Sequence, residues 1–216
     1  MRAITKNDFI KKGIERPILF NEDMVNAERA GRKTQTRRTR GLKLINQRPD
    51  DFLFDGYGLR LGLLWVSFFD TVYNTRVFVK SPYGQEGDFL WVRETFSPSG
   101  NARGVFFKDE MDDSVKVSWK PSIHLKRIHA RTLLEVTNIR VERLQSISEE
   151  DAIAEGAMFH DGRGVGHSGW RYNHRSHVWD LAIDAYAELF CEINGATAWQ
   201  ENPWVFVIEF KRKAQP

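Results

Sequence analysis

Four of the six histidines, His160, His167, His174 and His177, fall in one loop-like stretch, which invites a metal site. Their spacing lacks the i,i+4 pair that puts two imidazoles on one helical face, and no cysteine is near, so a polar loop is the better reading. Asp109, Glu110, Asp112 and Asp113 could hold magnesium in a nuclease, although carboxylates at a hairpin tip are ordinarily just solvated. Gly162-Arg163-Gly164-Val165-Gly166 resembles a phosphate-cradling loop only superficially, since no strand precedes it and no helix follows at once. Cys191 lies among apolar helical residues without a histidine partner and reads as a structural thiol. No metal and no cofactor is expected. The strongest charge feature runs from Arg29 to Arg48, where Arg29, Arg32, Lys33, Arg37, Arg38, Arg40, Lys43 and Arg48 occur with no acidic residue, against a net charge of only +3. Such a run raises the potential toward phosphates. It is equally open to being a strand and loop edge whose charges face carboxylates elsewhere.

The elements that would position these groups are largely legible. Arg16-Pro17-Ile18-Leu19-Phe20 reads as a short strand with proline at its start. Asn21 is a good N-cap, Glu22 and Asp23 suit a first turn, and Gly31 sits where a helix C-terminus wants a left-handed residue. Strands are expected at Leu59–Phe69, Thr71–Lys80 and Phe89–Phe96, and a hairpin at Arg103–Lys108 and Ser114–Trp119 around the acidic turn. Arg131–Leu144 alternates apolar and polar with a slip near Thr137 that suggests a bulge. Ser148-Glu149-Glu150-Asp151 has a helix-capping pattern and Gly156 a stop. His177–Asn194 forms an apolar face from Trp179, Ala182, Ile183, Tyr186, Phe190 and Ile193, which reads as core, and Trp204–Phe210 closes the chain as a strand. Strands outnumber helices and most are joined by short turns. The expected class is therefore α+β, a small, partly closed β-barrel with two or three packed helices.

Composition sets outer bounds. The chain has 216 residues, 41% of them hydrophobic and 28% charged, enough to bury one sizeable core and too apolar for wholesale disorder. Its longest apolar stretch, Leu61–Phe69, falls far short of the ~20 residues a membrane-spanning helix needs. The N-terminus lacks the apolar segment of a secretory signal, and a single cysteine excludes an internal disulfide framework. A soluble, cytoplasmic protein without membrane contact is expected. Residues 1–14 read as an extension and 15–213 as one domain; oligomeric state is not legible.

One segment carries more information than the rest: Ala30-Gly31-Arg32-Lys33-Thr34-Gln35-Thr36-Arg37-Arg38. Gly-x-Lys-x-x-x-x-Arg after a helix and before a strand resembles the signature of the ASCH domain, a branch of the PUA-like superfamily. Gly31, Lys33 and Arg38 match, while Thr36 stands where the usual pattern has glutamate. The small bacterial ASCH enzymes that hydrolyse N4-acetylcytidine also carry threonine there, and Val207-Ile208-Glu209-Phe210-Lys211 resembles their final strand. The resemblance covers Phe20–Arg38 and Arg131–Lys211; segments near 41–86, 97–125 and 157–176 look like additions, and the longer form looks like proteins of bacteriophage and prophage genomes.

The resemblance implies a catalytic triad of Lys33, Thr36 and Glu155, the last in Ala154-Glu155-Gly156, acting on an N4-acylated cytosine in a nucleoside or nucleic acid, with a modified nucleoside or RNA as the partner. Thr36 would be the nucleophile and Lys33 its base, if burial or neighbouring Arg32, Arg37 and Arg38 lower the lysine pKa. Side chains alternate along a strand, so Lys33 and Thr36 share a pocket only if Lys33 lies in the bend before it, with the two groups near hydrogen-bonding range. A PUA-like cleft accommodates an exposed base, which makes Arg38, Trp91, Arg93 and Trp119 the expected substrate-binding residues, Trp91 and Arg93 on one strand face. Arg32, Arg37, Arg40 and Lys43 are the expected nucleic-acid contacts. Two other readings compete. One is an RNA-binding module, with or without ribonuclease activity, and the other an accessory protein that works through protein contacts.

Overall fold

Val205-Phe206-Val207-Ile208 is apolar on both sides of an extended chain, a pattern met by a strand covered on both faces. The computed structural model describes residues 13–98, 104–110, 116–163, 166–173 and 177–213, and in it these four side chains are all fully buried. In chain order the elements are β1 (Glu15–Leu19), α1 (Glu22–Arg29), β2 (Gln35–Arg38), β3 (Phe52–Arg60), β4 (Leu63–Asp70), β5 (Thr75–Lys80), β6 (Phe89–Arg93), β7 (Phe96–Ser97) and β8 (Phe106–Phe107). There follow β9 (Leu133–Arg143), α2 (Glu149–Ala154), β10 (Met158–His160), β11 (Gly169–Arg171), α3 (Ala182–Asn194) and β12 (Trp204–Arg212).

The main sheet has the order β1-β6-β9-β12-β2, parallel between β1 and β6 and antiparallel elsewhere. A second sheet, β3-β4-β5, covers one of its faces: Phe52, Val66 and Phe68 pack with Leu90, Val136, Phe206 and Ile208. Helices α2 and α3 cover the other, where Val205 and Val207 meet Ala152 of α2 and Tyr186 and Phe190 of α3, while Val25 of α1 joins the first core. The protein is thus a mixed α/β layer structure, sheet on sheet on helices. No closed barrel forms among the described residues. None of their helices is long and apolar enough to cross a membrane. Leu42, Ile45, Phe52, Val66, Phe68 and Tyr83 belong to the central core, so the 41–86 segment is built into the fold.

Several local expectations are met. Asn21 Oδ1 accepts from Met24 N at 2.9 Å and caps α1, and Ser148 Oγ accepts from Asp151 N at 3.2 Å and caps α2. The register of β12 against β9 skips Thr137, the expected bulge. Others are not. The stretch from Leu59 to Phe69 is two strands, divided by a tight turn in which Leu61 (φ 52°) and Gly62 (φ 67°) both take the left-handed conformation that suits a two-residue hairpin. The strand expected from Thr71 starts at Thr75, because Asp70 Oδ1 accepts from the amides of Val72 and Tyr73 and holds a turn there. The acidic hairpin does not form as expected: β8 pairs with β7, residues 116–119 are not in a strand, and Arg103, Ser114 and Val115 lie outside the described residues. Helix α3 starts at Ala182, five residues later than the apolar pattern suggests. Trp179 N and O pair with Trp170 instead, and Glu149 from α2 supplies the missing cap by accepting from Ala182 N (2.8 Å) and Ile183 N (3.2 Å).

Candidate active site

Three backbone constraints bring Lys33 to Glu155. After α1 the chain reverses at Gly31 (φ 73°), and the amides of Arg32 and Lys33 both donate to Ala27 O, at 2.9 and 3.1 Å. Lys33 then forms a bridge with Glu155, flanked by Thr34 N to Ala154 O at 2.8 Å, and Phe210 N closes on Thr34 O at 2.8 Å. Finally Gly156 (φ 114°) leaves room for this approach. A Cβ there would lie 2.9 Å from Ala27 Cβ and 3.3 Å from Lys33 Cβ. Lys33 therefore lies in the bend before β2, as a shared pocket requires.

The ionic geometry is interior. Lys33 Nζ donates to Glu155 Oε2 at 2.7 Å and to the Glu155 carbonyl oxygen at 2.9 Å, with both side chains buried. Arg37 Nη1 reaches the other carboxylate oxygen of Glu155 at 3.3 Å, and Arg37 Nη2 binds Glu142 Oε1 at 2.7 Å and Asp151 Oδ2 at 2.6 Å. Arg140 joins Glu142, Asp151 and Glu209 to this network. Burial lowers the Lys33 pKa below its ordinary value; Glu155 opposes the shift, and Arg38 and Arg37 add to it. Arg37 has the opposite outcome: burial pulls its pKa down, but the surrounding carboxylates, Glu155 foremost, hold it above the usual arginine value.

A cavity of about 110 Å³ opens beside this pair, lined by Thr36, Arg38, Arg40, Glu155 and Tyr186 among others. Thr36 and Tyr186 are each buried and neither hydroxyl is hydrogen-bonded to another described residue. Burial, then the charge of Glu155, raises the Tyr186 pKa well above that of a free phenol, so its hydroxyl stays protonated and can donate. The second condition, a hydrogen bond between Lys33 and Thr36, is not met: Lys33 does not line the cavity, and its amine is taken up by Glu155. Chemically the cavity offers an unbonded hydroxyl, a neutral phenol donor and the Glu155 carboxylate, with the Lys33 amine of lowered pKa held behind that carboxylate.

Arg38 lines the cavity as expected, with Nη2 anchored on Leu19 O at 2.9 Å and its guanidinium 5.9 Å from the Phe20 ring. Trp91, Arg93 and Trp119 do not. Leu90 and Val92 fill the central core, so alternation turns Trp91 and Arg93 to the opposite face of β6, where Trp91 is buried and Arg93 stacks on it at 4.6 Å. Trp119 is half-buried in the segment leading to the Phe96–Lys120 bridge. Arg37, expected to meet phosphates, is interior because it pairs across from Val207, on the helix-facing side of the sheet. Arg32 is half-buried in the turn after α1, and only Arg40 and Lys43 of the expected nucleic-acid contacts are fully solvent-facing. Tyr186 reads as core from its helical spacing, and it is buried; the hydroxyl on an otherwise apolar face is the only sequence signal that it also lines the cavity.

Among the described residues no cluster of three or more metal-ligating side chains occurs. His174, Asp112 and Asp113 lie outside them; Glu110 binds Arg131 at 2.5 Å, His160 Nδ1 accepts from Gly162 N at 3.0 Å, and Cys191 is half-buried on α3. No protein-family model, curated protein or solved structure matches the chain.

Proposed function

We propose that the cavity beside Thr36 is the active site of an amidohydrolase that removes an acyl group from N4-acylated cytosine, carried on an open, PUA-like ASCH scaffold. The observation that carries this reading is the buried Lys33–Glu155 pair at 2.7 Å next to an unbonded Thr36 hydroxyl. A neutral lysine has two N–H donors and one lone pair. With both donors directed at Glu155, the lone pair is left to take the Thr36 proton once substrate fills the cavity, where resting contacts tighten.

The steps balance as follows. Thr36 Oγ1 bonds to the acyl carbon as Lys33 takes its proton, and the carbonyl oxygen becomes an oxyanion for which the Tyr186 hydroxyl, lining the same cavity, is the donor. The C–N bond breaks, Lys33 returns the proton to the exocyclic nitrogen, and cytosine leaves with its free amine. Water then attacks the Thr36 ester, giving up a proton to Lys33; the acid departs and the proton returns to Thr36. Glu155 holds the lysine in place. Arg37 shares the Glu155 carboxylate and so weakens its hold on a Lys33 proton, which eases the conflict between a close carboxylate and a neutral base.

A binding-only role for the basic run draws less support. Lys33 and Arg37 are interior, and Arg48 is held by Asp51 at 2.8 Å and Asp70 at 2.9 Å. The test is release of cytidine from N4-acetylcytidine by the purified protein. Lys33→Ala and Thr36→Val, each checked by circular dichroism for retained fold, are expected to lose turnover by at least ~100-fold, the scale of a general base or nucleophile. An unchanged rate in either variant overturns the assignment of that residue.

A further inference from the structure

A wider groove of about 470 Å³ adjoins the cavity at Arg40, and Thr39, Arg40, Phe190 and Asn194 line both spaces. Lys43 and Gln47 extend one wall of the groove beyond Arg40. Arg40 and Lys43 are exposed, and neither forms a hydrogen bond or ion pair with another described residue. That sets them apart from Arg37, Arg48, Arg131 and Arg140, which are all committed to carboxylates. Two uncommitted cations at the mouth of a base-sized cavity form an anion subsite at the distal end of whatever enters. One carboxylate, Glu201, also lines the groove, and its Oε1 already accepts from Thr197 Oγ1 at 2.6 Å. Asn46 is spent on the backbone of Trp204, through Nδ2 to O at 2.9 Å and Oδ1 from N at 2.8 Å, which fixes this wall.

We propose that this groove binds the phosphate of the substrate, so that the molecule acted on is an N4-acylated cytidine nucleotide, or a strand containing one, in preference to the free nucleoside. The inference rests on the amidohydrolase reading for what happens in the cavity, but phosphate recognition is measurable without it. Cytidine, cytidine 5′-monophosphate and a cytidine trinucleotide are titrated into the wild-type chain and an Arg40→Ala/Lys43→Ala variant by calorimetry, at low and high salt. The monophosphate is expected to bind at least ~10-fold tighter than cytidine to the wild type, with the gap closing in the variant and narrowing as salt rises. A trinucleotide that binds tighter still assigns the groove to a polymer backbone; equal affinity assigns it to a single nucleotide. Equal affinity for cytidine and its monophosphate, a preference that survives in the variant, or no binding of any of the three overturns the proposal. Deacylation of N4-acetylcytidine and its 5′-monophosphate separates the two claims. Phosphate-dependent binding without deacylation leaves the subsite standing and removes the hydrolase. Deacylation that ignores the phosphate removes the subsite and leaves the hydrolase.

Discussion

Lys33 and Arg37 on one side of Thr39, and Arg40 and Lys43 on the other, belong to one uninterrupted basic run, yet they live in different media. The first two are interior and tied to carboxylates from α2 and β9 or from the residue after α2. The second two are exposed and uncommitted. Pairing decides which is which. Opposite β12 the chain must alternate between the two cores, and the helix-facing side happens to carry Glu142, Asp151 and Glu155. Past Arg38 the strand pairing ends and the run reaches solvent at Arg40. The same charge is thus a structural and chemical component in one half and a surface potential in the other.

The contrast can be broken hardest at Arg37. Its side chain is fully inaccessible, and Arg37→Ala would take a shared partner from three carboxylates, leaving Lys33 and Arg140 to compensate them, at an expected cost of about 3 kcal/mol in unfolding free energy by urea titration. A loss below ~1 kcal/mol would show that Lys33 and Arg140 alone balance the network. Glu155→Gln sharpens the interior half. Turnover is expected to fall about 100-fold as Lys33 loses the carboxylate that holds it in place, while the acid limb of the pH–rate profile moves to lower pH, because Glu155 is what raises the Lys33 pKa against burial. A limb that stays in place would mean that another group titrates there. The smallest effect is on the exterior half: Arg40→Ala should change stability by no more than about 0.5 kcal/mol, since nothing folded depends on it.

The sequence was most legible where one element suffices to determine an outcome. Asn21, Ser148, Gly31 and Gly156 act through their own backbone neighbours, and each occupies the cap or stop its type suggests. The bend at Lys33 and its meeting with Glu155 follow from two such stops facing one another. Where the outcome depended on a distant partner, local pattern was insufficient. Trp179 satisfies helical periodicity but pairs with Trp170; Phe106 and Phe107 suit a hairpin strand but pair backward with β7. Trp91 shares a face with Arg93 as alternation predicts, yet nothing in the alternation says which face meets the cavity. Arg37 illustrates the same limit, since its burial depends on carboxylates more than a hundred residues away.

Lys33→Arg probes the central claim most directly, because an arginine keeps the cation beside Glu155 but cannot lose its proton. The measurement is the rate of N4-acetylcytidine hydrolysis across pH for the wild-type chain and this variant. In the wild type kcat/KM should rise with pH through the Lys33 pKa, which burial places below the ordinary lysine value of 10.5. Unfolded chains bind the Lys33 proton more tightly, so stability from this group should rise over the same window, from the folded-state pKa up to 10.5. The expected result is a pH-dependent wild-type rate and a folded variant inactive at every pH. A variant that turns over at the wild-type rate, or a wild-type chain with no hydrolysis at any pH, contradicts it.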